Sequence, residues 1–222
     1  MVPAYQAEAA VGSVVYGVRR RLETVIVVDD GSTDRTSELS AAAGAIVERF
    51  ESNRGKGAAL RRGLASALAH EPDAVVLLDA DGQHDPDDLA AFLSTWDRSR
   101  PDVIVGARLA DAASIPPVRF WTNYIGSRIL SWMTGFELED SQSGYRLLSA
   151  RLARELELTS DGYAIESEML IKASKLGARV EHVRVRTIYN EVGSHFRPFL
   201  DTFRISCASI FFKVFDDPSP RA

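Results

Sequence analysis

The chain has 222 residues, 45% hydrophobic and 26% charged, enough for an ordinary globular core. Its formal net charge of -5 argues against a general nucleic-acid binder, and its one cysteine, Cys207, excludes a disulfide framework and a cysteine-rich zinc site. No Pro/Ser/Gly-rich linker divides it, no signal peptide is visible, and no apolar run reaches the roughly 18 residues of a membrane-spanning helix. A single domain in a reducing, cytoplasmic setting is expected.

MVPAYQ opens on what reads as the end of a strand. TVIVVDD (24–30) reads as a buried strand, followed by GSTD, with Ser32 or Thr33 as the N-cap of a helix to about residue 43. AIVERF (45–50) is a short strand, SNRGKG (52–57) a loop, and 57–70 an Ala/Leu-rich helix. DAVVLLD (73–79) is a third apolar strand. Asp85 then caps a helix with Pro86 at its first position, and DVIVGAR (102–108) is a fourth strand. The second half is less regular: a helix over 118–135, a loop at 139–148 entering a strand or turn, a helix over 163–177 stopped by Gly177, a strand over 179–189 and a last helix over 197–215. Strands that are apolar throughout, alternating with helices, predict a three-layer α/β/α fold with a mostly parallel central sheet. Ligands in such sheets bind beyond the carboxyl ends of the strands, where Asp29, Asp30, Asp79 and Asp81 fall.

Four stretches carry candidate chemistry. In DADGQ, Asp79, Asp81 and Gln83 can place three oxygen ligands around a hard cation, Mg²⁺ or Mn²⁺. A capped turn before a helix explains Asp85 to Asp88 well, but not Asp79, a carboxylate costly to place at the end of a core strand without a partner. In VVDDGSTD, Asp29 and Asp30 exceed what a cap requires and can accept from a base or ribose. SNRGKG lacks the spacing of an NTPase phosphate loop; its glycines at a helix start let the backbone approach a ligand, with Arg54 and Lys56 toward phosphate, or make a plain loop. In DSQSGYR, Asp140 is either a base or part of a solvent-facing turn. His84 reads as a turn residue, and Tyr163 and Trp132 as packing residues.

Together PAY (3–5), VDDGSTD (28–34), NRGKG (53–57), DADGQHDP (79–86), GAR (106–108) and DSQSGYR (140–146) resemble, in content and order, the family-2 glycosyltransferases of glycosyltransferase-A fold. Within them the chain looks most like dolichyl-phosphate mannose synthase and other polyprenyl-phosphate glycosyltransferases. The resemblance implies a nucleotide-sugar-binding half to about residue 108, an acceptor half over about 109–196 and a C-terminal amphipathic helix over about 197–215. It implies that Pro3, Tyr5, Val28, Asp30, Lys56, Asp79, Ala80, Asp81 and His195 meet the nucleotide-sugar donor. Asp81 and Gln83 would hold the metal with Asp79 close by, Arg108 would face the donor or the acceptor lipid phosphate, and Arg119 and Asn123 would lie in the stretch that receives the acceptor phosphate. Asp79, Asp81, Arg108 and Asp140 are the catalytic candidates, Asp140 as base if the acceptor is a hydroxyl.

The implied reaction is inverting transfer of a hexose from GDP-mannose or UDP-glucose to polyprenyl phosphate. Relatives usually read PAYNE; here Ala7 lacks the expected carboxylate, and Glu8 is the nearest substitute. Phe199, Phe203, Ile210, Phe211, Phe212 and Phe215 on the last helix suit peripheral contact with the cytoplasmic membrane face, or packing on the domain. A non-lipid hydroxyl acceptor and a catalytically silent nucleotide-sugar-binding module are the alternatives. A sugar nucleotidyltransferase would need a Gly-rich basic N-terminal loop, which this sequence lacks.

Overall fold

Apolar runs at 25–28, 74–78 and 103–107 need cover on both faces. The structure is a computed structural model that describes residues 1–108 and 117–188; residues 109–116 and 189–222, and the side chains of residues 117–120 and 122, lie outside the described part. Strands β1 (Val2–Ala4), β2 (Ile26–Asp29) and β3 (Ile46–Arg49) pair in parallel in that order. Strands β4 (Ala74–Leu77), β5 (Val103–Ala107), β6 (Arg146–Ser149) and β7 (Val180–Arg184) form the order β4-β6-β5-β7. Strand β6 is antiparallel to both neighbours, whereas β7 is parallel to β5.

Met1 joins the two ribbons. Its amine donates to the Val76 carbonyl at 2.6 Å, and the Leu78 amide donates to the Met1 carbonyl at 3.2 Å, a parallel pairing pattern. The sheet therefore reads β3-β2-β1-β4-β6-β5-β7, with β6 the one reversed strand among the described residues.

Seven helices cover it: α1 (Val11–Arg19), α2 (Thr36–Ala42), α3 (Lys56–Leu68), α4 (Leu89–Ser99), α5 (Pro117–Thr134), α6 (Ala150–Glu155) and α7 (Ile165–Lys175), counting described residues only. Strand residues alternate between two cores, as the period-2 pleat requires. Val28, Leu77, Val105 and Leu148 pack with Leu60, Leu130, Leu152 and Met169 from α3, α5, α6 and α7. Val27, Val76, Ile104 and Leu147 pack with Val14, Leu89 and Phe92 from α1 and α4. This is the expected three-layer fold with a mostly parallel sheet. No helix among the described residues is long and apolar enough to cross a membrane.

Several local expectations are corrected. Helix α2 starts at Thr36, and neither Ser32 nor Thr33 caps it, because both hydroxyls accept from Gln6 instead. Helices α1 and α6 add to the expected set. Strand β7 stops at Arg184, short of residue 189. Trp132 is 80% exposed rather than packed. The helix expected over 197–215 lies outside the described residues.

The reversal of β6 matters for function. It brings the 140–145 loop, at the amino end of β6, to the rim where β2, β4 and β5 end. Phe92 is fully buried and stacks on Tyr145 with ring centroids 4.3 Å apart, under that rim. Phe92→Ala should cost about 3–5 kcal/mol in urea denaturation. Gly126→Ala, inside α5 with open space where the Cβ would sit, should instead stabilise by about 0.5–1 kcal/mol.

Candidate active site

Asp79 leaves the end of β4 and meets a cation at once. Lys56 Nζ lies 2.7 Å from Asp79 Oδ1 and 2.6 Å from Glu166 Oε1. Lys56 opens α3 and Glu166 sits in the first turn of α7, where negative charge is favoured. Burial opposes the Lys56 charge, but Asp79 and Glu166 hold its amine well above the ordinary lysine range. Burial likewise opposes ionisation of Asp79, and Lys56 outweighs it, so the carboxyl stays below the usual range. On its other side, Asp79 Oδ2 rests on Gly144, where any Cβ would collide with it. A glycine is required there by close approach.

Asp81 is different. Its Oδ1 accepts from the Gln83 amide at 2.9 Å, and Oδ2 has no hydrogen bond among the described residues. Crowding by protein atoms and the Asp79 charge both push its carboxyl up. Because the side chain is open to water, the Asp79 charge is the more durable cause. No three His, Cys, Asp or Glu side chains converge as a ready-made cage among the described residues. The donor set at this rim is hard oxygen, with an excess of negative charge, and a cation there would keep part of its shell for water or phosphate. That suits Mg²⁺ or Mn²⁺.

Beside it stands a second charged pair. Asp140 is 1% exposed. It accepts from Arg108 Nε at 2.6 Å, from Arg108 Nη2 at 3.0 Å, from the Gln142 amide at 3.1 Å and from the Arg108 amide at 3.4 Å. Burial opposes its charge, but Arg108 holds the carboxyl below the usual range. With its lone pairs occupied and its proton affinity lowered, Asp140 is a poor base and a good clamp for Arg108. The clamp uses one edge of the guanidinium, and among the described residues the other three N–H groups of Arg108 have no acceptor.

Arg146 was not singled out from sequence, yet it organises the loop. It is fully buried and donates to the carbonyls of Ser143 (2.9 Å), Ser141 (2.7 Å) and Glu166 (2.7 Å). The Ser141 amide in turn donates to Ser127 Oγ of α5 at 2.9 Å. Asn123 lies one turn before Ser127 on that helix. The side chain of Arg119 and all of His195 lie outside the described residues.

The nucleotide end departs most from expectation. Asp30 accepts from the Arg54 amide at 2.7 Å and the Gly55 amide at 2.9 Å, and Asp29 accepts from the Ser32 amide at 2.9 Å and from the Ser37 hydroxyl. Both carboxylates are used to shape their own loops. The glycines of NRGKG face protein: the Gly57 amide donates to the Asp161 carbonyl at 2.7 Å, and a Cβ on Gly57 would strike the Ser160 carbonyl. Lys56 turns to carboxylates rather than to an open phosphate site. Val28 is sealed in the core and Ala80 is buried, so their side chains do not line an open pocket, and Pro3 is buried beside the exposed Tyr5. Glu8, the nearest stand-in for the missing carboxylate at Ala7, accepts from the Arg35 amide at 3.1 Å.

The acidic turn after Gln83 is structural, as its capping pattern implied. Asp85 accepts from the Asp87 amide at 2.9 Å at the head of the 3-10 turn Pro86–Asp88, and Arg186 pairs with Asp85 and Asp88 at 2.9 Å each. His84 is buried edge-on to Tyr145, and burial, then Arg108, lowers it to about 4, so it is neutral at pH 7.

A family model for Glycosyl transferase family 2 matches residues 1–153, and the chain belongs to that family. It is a glycosyltransferase. It is 34% identical over 222 residues to an uncharacterized protein of Methanocaldococcus jannaschii, covering 97% of this chain and 91% of that one. It is 31% identical over 215 residues to the UDP-N-acetylglucosamine–dolichyl-phosphate N-acetylglucosaminyltransferase of Methanococcus voltae, covering 86% and 85%. Among solved structures it resembles glucosyl-3-phosphoglycerate synthase from Mycobacterium tuberculosis in complex with Mn²⁺ and UDP-glucose. That match has a TM-score of 0.69 and 24% identity over 99% of this chain and 79% of that one. The likeness supports the glycosyltransferase-A fold.

The Asp140–Arg108 clamp gives a pH signature. A depressed carboxylate contributes stability above its unfolded pKa of about 3.9, and that stability is lost as pH falls through the lower folded value. Asp140→Asn should cost about 3–5 kcal/mol at pH 7 by leaving Arg108 uncompensated. The gap from wild type should narrow as urea denaturation is repeated from about pH 5 downward.

Proposed function

We propose that the protein is a metal-dependent, inverting hexosyltransferase that moves a sugar from a nucleoside diphosphate donor to a polyprenyl phosphate. One observation carries the reading: a carboxylate turn short of positive charge, Asp79–Asp81–Gln83, lies within the field of the Arg108 guanidinium, whose second edge has no acceptor among the described residues. The first calls for a divalent cation and the second for an oxyanion. In this reading Asp81 and Gln83 hold Mg²⁺ or Mn²⁺ with Asp79 close by. Bound there, the cation would stabilise the departing nucleoside diphosphate. Tyr5 and Pro3 border the nucleotide. Arg108, with Asn123 and Arg119 on α5, receives the acceptor phosphate.

The saturated state of Asp140 favours this acceptor. A phosphate is already ionised and needs no strong base, whereas a hydroxyl would. The Methanococcus relative is named for dolichyl phosphate, which supports the same class, and the Mycobacterium neighbour was solved with Mn²⁺.

Peripheral contact with the cytoplasmic membrane face is part of the proposal. Trp121, Tyr124, Ile125, Ile129 and Trp132 are exposed on α5 at helical spacing, with Arg128 among them. Such a face suits the interfacial region of a bilayer that holds the acceptor.

The test is a transfer assay with Mn²⁺, short polyprenyl phosphate and labelled GDP-mannose, UDP-glucose or UDP-N-acetylglucosamine. Label should move into the organic phase with one donor. Asp81→Ala should lower transfer at least about a hundredfold while the fold is retained. Undiminished transfer in excess chelator would overturn the metal assignment, and metal-dependent release of free sugar without transfer would overturn the acceptor.

A further inference from the structure

Glu166 has no part in the reaction as read above, yet it is 5% exposed and charged. Its carboxylate is committed to Lys56, and its carbonyl is held by Arg146 at 2.7 Å. Among the described residues Lys56 thus meets Asp79, Glu166 and the face of Tyr163, whose centroid is 5.8 Å away. Around the carboxylate turn, three carboxylates (Asp79, Asp81 and Glu166) share one ammonium. If that ammonium belonged to Asp79 alone, Asp79 and Asp81 would keep a single net negative charge and a weaker attraction for a cation.

We propose that Glu166 is a positioning residue for the cation site. By sharing Lys56, it keeps the Asp79–Asp81 pair negative enough to take up a divalent cation, and Lys56 limits that charge so that the cation-free protein remains folded. The inference rests on the cation reading above. Its geometry is specific. Asp79 is trapped between Lys56 and Gly144, and Glu166 is gripped through its backbone by Arg146. Lys56 is held by both carboxylates at once, so neither one takes its whole charge.

The rival is a plain ion bridge that ties α3 to α7. The two differ in sign. A bridge loses stability with either partner and leaves cation affinity alone. A charge-setting residue moves affinity one way when Glu166 is neutralised and the other way when Lys56 is neutralised.

The experiment titrates Mn²⁺ alone, without nucleotide, into wild type, Glu166→Gln, Lys56→Met and the double variant, reading free Mn²⁺ by electron paramagnetic resonance. Glu166→Gln should bind roughly tenfold more weakly and Lys56→Met roughly tenfold more tightly, as expected for one unit charge near a divalent ion in a partly wet site. The double variant restores the net charge and should return to within about threefold of wild type. Glu166→Asp should rescue most of the loss. If Lys56→Met folds only when Mn²⁺ is added, that is the same result read as stability. If it stays unfolded in excess Mn²⁺, the inference fails, because the ion should replace the ammonium. Single variants that bind like wild type, or that shift affinity in the same direction, overturn the inference while leaving the cation site intact. A wild type that takes up no Mn²⁺ overturns both.

Discussion

The Lys56 ammonium between Asp79 and Glu166 is the contact on which the site depends. Each of the three charges is largely withdrawn from water, and each alone would be costly to bury. Together they join the start of α3, the end of the central strand β4 and the first turn of α7. Asp79 can therefore remain ionised at the end of an apolar strand. It is then fixed against Gly144, which fixes the loop before β6, and Arg146 locks that loop to α7 through three carbonyls. A rim built from four separate stretches is held by a few charge-assisted contacts.

The two arginines of this rim do different work because their partners differ. Arg146 is buried against carbonyls, satisfied on several sides, and acts as an internal brace. Arg108 is clamped along one edge by Asp140, has no acceptor on the other among the described residues, and is partly open to solvent. A cation rigidly held with unspent donors is a good receiver for phosphate. The neighbouring Asp81 has the opposite imbalance. On the proposed reading, those two opposite imbalances are what a metal-bound diphosphate and a phosphate acceptor would use, with no strong proton-transfer group needed.

Much of the fold was legible in the sequence. The uniformly apolar runs at β2, β4 and β5 can only be strands covered on both faces, and carboxylates directly after β4 needed a reason that packing does not supply. The direction of β6 was not legible: four residues, RLLS, carry no sign of antiparallel pairing. Nor was the use of the NRGKG glycines. Their spacing announces a close approach, but the thing approached, the Ser160–Asp161 backbone, lies about a hundred positions away in the chain. The same holds for Lys56, whose partner Glu166 is 110 residues distant. Ser32 and Thr33 look like helix caps locally, and only the folded loop shows Gln6 taking both hydroxyls. A tryptophan inside a helix such as α5 reads locally as a packing residue, and only the folded chain shows Trp132 turned outward.

The most direct test is a crystal structure grown with Mn²⁺ and a nucleoside diphosphate, with an anomalous difference map recorded at the manganese edge. The account predicts one strong peak at Asp81 and Gln83, the diphosphate against it, and Lys56 still lying between Asp79 and Glu166. A peak elsewhere, or a diphosphate bound to Lys56 with no metal at the Asp79–Asp81 turn, would contradict it.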